Sequence, residues 1–546
     1  MKIVAIIPAR GGSKGIPRKN IRLINGSPLI SYAIQCAKAS RYHLETVVST
    51  DDEEIRQIAL MYGATVVDRP KELAGDDITL DPVIFHSVEY IEKEKNCNYD
   101  VVITMQPTSP LLTTNTLDDA IEFLLQNELD TVISGVNDPR LSWHEENGIF
   151  IPNYEKRLNR QYMPKELKET GAFVISKREC VTPNGRFGKK ISVYEVPEKE
   201  SGDIDTPQDW WIAELEMNKK TILIRNDGYK EIGMGHIYRG LQIASAFIEH
   251  DVRFVLNRKS DIGIQKVQQS NYKYDVISDD SEILQLIKKY DADIVINDIL
   301  NTTEDYVESI KQTGVRVVNF EDLGRGAVKA DATINALYKK PENDFGGKCY
   351  WGSDFYLIRD EFQLTSPRIF SEQLKEILVV FGGTDPNHLT LKTIEAINSL
   401  VPTGAFHVTV ILGMGCGDYD IINRISKQSD ISVEVLRDVK NMADYMCKAD
   451  LAISSQGRTM LELASLGVPT ILMAQNEREG THEFGGIRNG FLNLGLGVRT
   501  EVATLAQTIR WLIDCPQVRK NMREEMLQTD LRHGIERVKK IILGGE

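Results

Sequence analysis

The stretch Ile6–Asn20, IIPARGGSKGIPRKN, decides how the front of this chain folds. A predicted apolar strand, Lys2–Pro8, runs directly into a loop that combines glycines with fixed positive charges. Glycines let a backbone approach a polyphosphate closely, and Arg and Lys side chains neutralise its charge. A helix is predicted next, capped by Ser27 with Pro28 in its first turn. This order of strand, basic loop and helix indicates a nucleotide-binding site.

The composition is that of a globular protein with about three domains. The 546 residues are 42% hydrophobic and 26% charged, and the net charge of -14 argues against a nucleic-acid partner. No run of about 18 apolar residues occurs, so no membrane span is predicted, and no signal peptide is expected. The seven cysteines are scattered and lack CxxC spacing, which predicts reduced thiols and a cytoplasmic location.

The order of predicted elements indicates the domain organisation. Short β-branched segments alternate with helical segments up to about residue 215, a pattern typical of a mostly parallel sheet flanked by helices. New strand–loop–helix units begin at Thr221–Arg225 and at Ile377–Phe381, and the polar segment Gln363–Gln373 is interpreted as a hinge between them. We therefore predict an α/β protein with a Rossmann-like domain at 1–218 and a two-lobed module at 219–365 and 374–546.

Two further motifs in the first 210 residues carry polar side chains. QPTSPL (Gln106–Leu111) stands where a predicted strand ends, and GDIDTPQDW (Gly202–Trp210) contains Asp203 and Asp205. In an extended segment these two carboxylates lie on one face. Paired carboxylates suit a Mg²⁺ ion that also binds phosphate oxygens. We predict a magnesium site at Asp203 and Asp205.

Together these motifs resemble the acylneuraminate cytidylyltransferases, or CMP-sialic acid synthetases, over residues 1–215. The resemblance implies a nucleotidyltransferase domain that transfers CMP from CTP to the anomeric hydroxyl of a nine-carbon 2-keto sugar acid and releases pyrophosphate. It also implies Mg²⁺ as the cofactor and a homodimer. The implied contacts are Arg10, Ser13 and Lys14 with CTP, Lys19 with the triphosphate, Asn20 in the same turn, Gln106 with the sugar acid, and Asp203 and Asp205 with Mg²⁺.

The rear half carries a second set of ligand-binding motifs. In RNDGYKEIGMGHIYR (Arg225–Arg239), His236 begins a helix, whose positive dipole end favours a neutral, basic imidazole. FGGTDPN (Phe381–Asn387) places two glycines between a strand and a helix, which suits a diphosphate. Glu462 follows a further loop and could accept the hydroxyls of a ribose. These motifs predict a second nucleotide site.

Residues 221–530 resemble the UDP-sugar hydrolase of pseudaminic acid biosynthesis, which has the two-lobed GT-B fold. The resemblance implies that water attacks the anomeric carbon of a UDP-linked 2,4-diacetamido-trideoxyhexose. His236 would act as the base or position the water. The implied substrate-binding residues are Gly235, Gly382, Gly383, Thr384, Glu462 and Asn476.

Two alternatives stay open for the rear half, a GT-B glycosyltransferase and a non-catalytic nucleotide-sugar sensor. The stretch Ile296–Asn301 supplies Asp298 but lacks a tyrosine that is common in the hydrolases. Both halves fit one biosynthetic route to a nonulosonic acid, pseudaminic or sialic-like. Condensation with phosphoenolpyruvate, the step between them, has no evident site in the sequence, so a separate synthase is implied. We expect a bifunctional cytoplasmic enzyme.

Overall fold

A computed structural model describes residues 1–229, 232–342, 346–400, 406–413, 415–429 and 431–545. The chain forms two compact units, Met1–Lys219 and Lys220–Glu546, and each is described by itself. Within the described residues, no helix combines the length and the apolar character needed to cross a membrane. The domain limits 1–218, 219–365 and 374–546 stay predictions.

The first unit contains one large sheet, two small hairpins and the helices that cover them. Its strands are β1 (Ile3–Pro8), β2 (Leu23–Ile24), β3 (Ser27–Pro28), β4 (Glu45–Thr50), β5 (Thr65–Asp68), β6 (Val101–Met105), β7 (Thr131–Asn137), β8 (Trp143–Glu146), β9 (Ile149–Pro152), β10 (Leu167–Lys177) and β11 (Ile191–Glu195). Its helices are α1 (Leu29–Lys38), α2 (Glu53–Met61), α3 (Leu80–Glu94), α4 (Thr114–Gln126) and α5 (Pro207–Met217).

The large sheet has the strand order β11–β7–β10–β6–β1–β4–β5. Strand β1 pairs in parallel with β4 and β6, whereas β10 runs antiparallel to β6 and β7. Because helices cover both faces, β1 is apolar and almost wholly buried. The predicted mostly parallel α/β sheet is confirmed. Since β4, β1 and β6 are parallel neighbours, the loops that follow them leave the sheet at one edge.

The predicted helix cap at Ser27 is wrong. Ser27 and Pro28 form β3, which pairs with β2, and α1 begins only at Leu29, where no side chain caps it. Asn25 and Gly26 join the two strands with positive φ angles of 46° and 81°. An Asn-Gly pair at positive φ makes a tight hairpin turn, so Ser27 is used in strand pairing.

The second unit has two sheets whose strands pair in parallel throughout the described residues. The first sheet has the order β14–β13–β12–β15–β16–β17–β18 and the second β21–β20–β19–β22–β23–β24. The strands of the first sheet are β12 (Thr221–Asn226), β13 (Asp251–Asn257), β14 (Lys273–Ile277), β15 (Ile294–Asp298), β16 (Arg316–Phe320), β17 (Ala332–Asn335) and β18 (Cys349–Trp351). Those of the second are β19 (Glu376–Val380), β20 (His407–Leu412), β21 (Ser432–Arg437), β22 (Leu451–Ser454), β23 (Thr470–Ala474) and β24 (Phe491–Leu496).

Helices flank both sheets, which gives the two-lobed α/β module that the sequence predicts. The helices of the first lobe are α6 (Gly235–Ala246), α7 (Asp261–Gln269), α8 (Ile283–Tyr290), α9 (Glu304–Lys311) and α10 (Asp360–Leu364). The second lobe follows with α11 (Leu389–Asn398), α12 (Tyr419–Lys427), α13 (Met442–Lys448), α14 (Thr459–Ser465), α15 (Glu477–Gly480), α16 (Val502–Asp514), α17 (Pro516–Leu527) and α18 (Gly534–Leu543).

The chain crosses between the lobes twice. Helix α18 packs into the core of the first lobe through Val538 and Ile542, although it follows the second lobe in sequence. The segment interpreted as a hinge begins inside α10, and its later part is fastened to α17. There, Arg519 donates to the carbonyl of Ser371 at 3.2 Å, and Arg523 donates to the carbonyl of Arg368. The two crossings therefore hold the lobes beside each other.

Candidate active sites

The basic loop after β1 brings its predicted CTP contacts together around one acidic side chain. Asn20 is buried, and its Nδ2 donates to the carbonyl of Arg10 at 3.0 Å, which ties the end of the loop to its start. Arg10 and Lys14 both pair with Asp76, at 2.8 and 2.6 Å, while Ser13 is half-buried. The hydrogen bond from Lys14 and the charge of Arg10 hold the pKa of Asp76 below its ordinary value. Two positively charged side chains, Arg10 and Lys14, therefore lie close together where a polyphosphate would bind.

Lys19 joins the basic loop to the segment of the predicted metal ligands. Its Nζ donates to the carbonyl of Ile204 at 2.6 Å and to Oδ1 of Asp205 at 3.0 Å. A Cβ on Gly15 would lie 2.4 Å from the carbonyl oxygen of Asp205, so the loop can approach this closely only with glycine there. Ile204 is fully buried, and it stands between the half-buried Asp203 and the exposed Asp205.

The carboxylate of Asp203 lies in an environment that suits a bound cation. Its Oδ1 is buried and has no hydrogen-bond partner. Burial raises the pKa of Asp203, and the nearby carboxylate of Asp205 raises it further. Hard oxygen donors of this kind fit Mg²⁺. The described residues hold no group of three or more His, Cys, Asp or Glu side chains suited to a metal, so phosphate or water oxygens would have to complete the coordination.

Gln106 and Asp203 approach each other across Gly171. A Cβ on Gly171 would lie 3.0 Å from Nε2 of Gln106 and 3.5 Å from Oδ2 of Asp203, and the φ of 72° at Gly171 also favours glycine. The hydroxyls of Thr108 and Ser109 are buried without hydrogen-bond partners. The residue after Asp203 donates its backbone N–H to the carbonyl of Thr108 at 2.8 Å. These polar groups form a wall suited to a ligand rich in hydroxyls.

His236 is the second residue of α6, where its motif places it, and it contacts Asp298. Its Nδ1 lies 2.6 Å from Oδ1 of Asp298. Asp298 ends β15, and β15 pairs with β12, the strand that leads into the His236 loop. Lys230 and Glu231 of that loop lie outside the described residues. The carboxyl ends of neighbouring parallel strands therefore bring the two side chains together.

Arg239 keeps Asp298 ionised. It donates to both oxygens of this fully buried carboxylate, at 2.7 and 2.5 Å. Burial opposes ionisation, but the charge of Arg239 and the hydrogen bonds from Arg239 and His236 outweigh it and hold the pKa of Asp298 below its ordinary value. With Nδ1 committed as a donor to a carboxylate, Nε2 of His236 is the acceptor nitrogen. This arrangement suits a general base.

Arg239 also links this dyad to Glu321. Its Nη1 lies 3.2 Å from Oε1 of Glu321, which follows β16 and has a positive φ of 50°. Oε2 of Glu321 is buried without a hydrogen-bond partner, and burial raises the pKa of this carboxyl. A continuous buried chain of ionisable groups thus runs from Glu321 to His236.

The loop after β19 holds Gly382, Gly383 and Thr384 in a tight backbone contact. Gly382 has a φ of 80°, and a Cβ on Gly413 would lie 2.5 Å from the Cα of Gly383. Asp385 accepts the backbone N–H groups of the first two residues of α11, at 3.0 and 2.9 Å. Since this carboxylate already satisfies those N–H groups, a diphosphate would rest on the glycine loop itself.

Two other predicted contacts have protein partners in the structure. Glu462 is buried and accepts Nε and Nη2 of Arg359 at 2.8 and 3.0 Å, so a ribose would have to share it. Asn476 caps α15, and its Oδ1 accepts the backbone N–H of Glu479 at 2.9 Å. Their roles in ligand binding stay predictions.

Sequence reasoning missed several residues of both sites. Arg239 lies three positions after His236, a spacing that puts both on one helix face, so the helical pattern could have found it. The sequence motif at 296–301 identifies Asp298 but does not indicate its contact with His236. Asp76 and Arg359 carry no motif, and only the folded chain brings them to Lys14 and Glu462.

Residues 4–218 match the family described as Cytidylyltransferase, and residues 377–483 match the Glycosyltransferase family 28 C-terminal domain. N-acylneuraminate cytidylyltransferase A of Danio rerio is 37% identical, over 39% of this chain and 50% of its own length. Pseudaminic acid cytidylyltransferase of Campylobacter jejuni is 34% identical, over 39% of this chain and 96% of its own length.

Among solved structures, MurG of Acinetobacter baumannii matches with a TM-score of 0.45 and 14% identity, over 59% of this chain and 99% of that chain. The chain spans 56% and 50% of the lengths of the first curated relatives it matches, about half. The predicted resemblance of the front half is confirmed, and residues 377–483 of the rear half are similar to the C-terminal domain of glycosyltransferase family 28. Because it covers almost the whole Campylobacter protein at this identity, the chain belongs to the cytidylyltransferase family.

Proposed function

We propose that the first unit transfers CMP from CTP to a nine-carbon 2-keto sugar acid of the nonulosonic class, pseudaminic or sialic-like. The similarity to cytidylyltransferases of both sugar types supports this substrate class. The anomeric hydroxyl oxygen attacks the α-phosphorus of CTP and loses its proton to solvent, while pyrophosphate leaves with the electrons of the bond that breaks. Arg10, Lys14 and Lys19 would neutralise the triphosphate, which is the main requirement of phosphoryl transfer.

The observation that carries this proposal is the buried, unpartnered Oδ1 of Asp203 beside Asp205. These two carboxylates would hold Mg²⁺, which neutralises phosphate charge when bound. Ser13 and Asn20 belong to the nucleotide loop, and Gln106 would orient the sugar acid.

For the second unit we propose hydrolysis of a UDP-diacetamido-trideoxyhexose. His236 would take a proton from water through Nε2 while the water oxygen attacks the anomeric carbon. The bond from that carbon to UDP breaks, and UDP leaves with the bonding electrons. The 2.6 Å contact between His236 and Asp298 carries this proposal, because it fixes the ring for proton transfer. Gly235 and the loop at 382–384 would contact the nucleotide sugar.

Glycosyl transfer is the second candidate, supported by the match to the glycosyltransferase family 28 C-terminal domain. The same dyad would then deprotonate an acceptor hydroxyl in place of water. A non-catalytic nucleotide-sugar sensor would bind the nucleotide sugar without converting it into products.

One experiment separates these functions. Purified protein receives CTP, Mg²⁺ and a panel of nine-carbon 2-keto acids, and mass spectrometry looks for CMP-sugars. A parallel panel of UDP-diacetamido-trideoxyhexoses is incubated in ¹⁸O water. Hydrolysis predicts free sugar that carries ¹⁸O without any added acceptor. If no UDP-sugar yields free sugar in water, hydrolysis is wrong, and failure of every keto acid refutes the proposal for the first unit.

The remaining partners are proposals as well. A separate phosphoenolpyruvate-dependent synthase in the cytoplasm would convert the sugar released by the second unit into the nine-carbon acid that the first unit uses. A homodimer is supported by the exposed hairpin β8–β9, where Trp143, Ile149 and Phe150 are 53%, 67% and 65% exposed. Exposed aromatic and aliphatic side chains on one small element favour a protein interface.

A further inference from the structure

Arg458 stands beside the glycine loop of the second lobe. It follows β22, which pairs in parallel with β19, and Ser454 lies opposite Val380 in that pairing. Because the strands are parallel neighbours, the loops that follow them leave the sheet side by side. Arg458 and the loop at 382–384 therefore share one edge of the sheet.

On its other side, Arg458 touches the first lobe next to His236. A Cβ on Gly235 would lie 3.5 Å from Cδ of Arg458, and Gly235 directly precedes His236. The guanidinium lies over the ring of Tyr356 at 5.1 Å. The side chain is thus held between the glycine loop and the histidine.

Among the residues that the structure describes, Arg458 forms no ion pair, although its charge acts on the buried carboxyl of Glu321. Its Nη2 makes two long hydrogen bonds, each 3.3 Å, to Oε1 of Gln242 and to the carbonyl of Leu357. Arg239 and Arg359 both form ion pairs with carboxylates, whereas Arg458 forms none within 4.0 Å among the residues that the structure describes. A half-buried cation without a carboxylate favours an anionic ligand.

We propose that Arg458 binds the β-phosphate of a nucleoside diphosphate sugar, at the bond that breaks beside His236. This inference rests on the proposed function of the second unit and assigns its leaving-group residue. As the bond from the anomeric carbon to oxygen breaks, negative charge grows on the β-phosphate. The planar guanidinium can meet two phosphate oxygens at once and stabilise that charge.

The test is a comparison of uridine diphosphate with uridine monophosphate, which lacks the β-phosphate. Calorimetry measures both ligands with wild type, Arg458→Gln, Arg458→Lys and the control Arg488→Gln, which changes an exposed arginine of the same lobe. We expect Arg458→Gln to bind the diphosphate about 10- to 100-fold more weakly, the range for a lost charged hydrogen bond. Affinity for the monophosphate stays close to wild type, and the control binds both ligands normally.

The outcomes separate this inference from the proposed function. If wild type binds uridine diphosphate and Arg458→Gln binds it equally well, or loses both ligands equally, Arg458 is not a β-phosphate residue while the proposed function stands. If wild type binds neither ligand, both are wrong. If Arg458→Gln is unfolded in a thermal melt, Arg458→Lys provides the test instead. This variant keeps the positive charge and loses the planar guanidinium that can meet two phosphate oxygens. A selective loss of diphosphate affinity in that variant supports the inference, and equal affinity overturns it.

Discussion

Nδ1 of His236 lies 2.6 Å from Oδ1 of Asp298, and Arg239 holds both oxygens of the same carboxylate. The three side chains come from a helix and a neighbouring strand end, so sheet packing sets their geometry. Asp298 fixes the tautomer of His236 and stabilises the imidazolium that proton transfer would create.

The first prediction removes the charge of Asp298. We expect Asp298→Asn to lower kcat for UDP-sugar turnover by about 10²- to 10⁴-fold, because an amide no longer selects the basic tautomer of His236. The loss of the Asp298 charge also leaves the buried guanidinium of Arg239 facing a neutral amide. This change should lower the free energy of unfolding by about 3–5 kcal/mol. Steady-state kinetics and urea unfolding measure both effects. The exposed Asp305→Asn is the control, and wild-type kcat in Asp298→Asn would exclude the dyad from catalysis.

How far the sequence could anticipate this site depends on the residue. His236 was predictable because a glycine loop, a helix start and a histidine follow one another in the chain. Its partner Asp298 is 62 residues away, and the contact exists only because β15 pairs with β12. Asp76 has no motif at all. Ser27 was misplaced because the Asn-Gly pair before it makes a hairpin, and turn chemistry then prevails over capping preference.

The second prediction concerns Asp203. We expect Asp203→Asn to lower CMP transfer at least about 10²-fold, since a carboxylate at the proposed magnesium site is lost. Stability should be unchanged or higher, because burial penalises the charge of Asp203 and its Oδ1 has no hydrogen-bond partner. The raised pKa of Asp203 in the metal-free protein also predicts that half-maximal activity needs more Mg²⁺ as pH falls, because protons and the metal compete for this carboxylate.

Product assays across pH and thermal melts check these effects. The control is Asp119→Asn on the surface of α4. Normal CMP transfer by Asp203→Asn in Mg²⁺ would remove this residue from the metal site.

The third prediction concerns the acidic residue that occupies the nucleotide loop. Asp76 pairs with Arg10 and Lys14, so CTP has to replace it there. We expect Asp76→Asn to bind CTP more tightly by about 2- to 5-fold, because exposed ion pairs such as those of Asp76 contribute little free energy. Calorimetry at low and high salt should show the gain shrinking as salt screens the charges. The neighbouring Asp77→Asn is the matched control, and weaker CTP binding by Asp76→Asn would show that Asp76 assists the nucleotide.

The fourth prediction tests the proposed homodimer. Phe150 is 65% exposed on β9, and a charge there would have to be desolvated at an interface. We expect Phe150→Asp to sediment as a monomer at a concentration where wild type is dimeric. Met61→Asp, at a 79% exposed position on α2, should leave the dimer intact. A dimer that survives Phe150→Asp would place the interface elsewhere.

The fifth prediction follows from His482, which is 8% exposed and packs edge-on against the ring of Tyr338 with centroids 5.2 Å apart. Its Nδ1 lies 2.7 Å from the carbonyl of Gln456. Burial lowers the pKa of His482 to about 4, and the charge of nearby Arg478 acts in the same direction. In the unfolded chain the pKa is about 6.5, so below that pH the unfolded state binds more protons than the folded state.

The contribution of His482 to stability is therefore full above pH about 6.5 and is lost as pH falls towards 4, with roughly 2 kcal/mol gone by pH 5. His482→Gln cannot titrate, so the free-energy difference between wild type and variant should shrink by that amount from pH 7 to pH 5. Hydrogen exchange of amides in the second unit measures it, because the protection of these amides reports on the opening of that unit. Equal pH dependence in both proteins would mean that folding does not lower the pKa of His482.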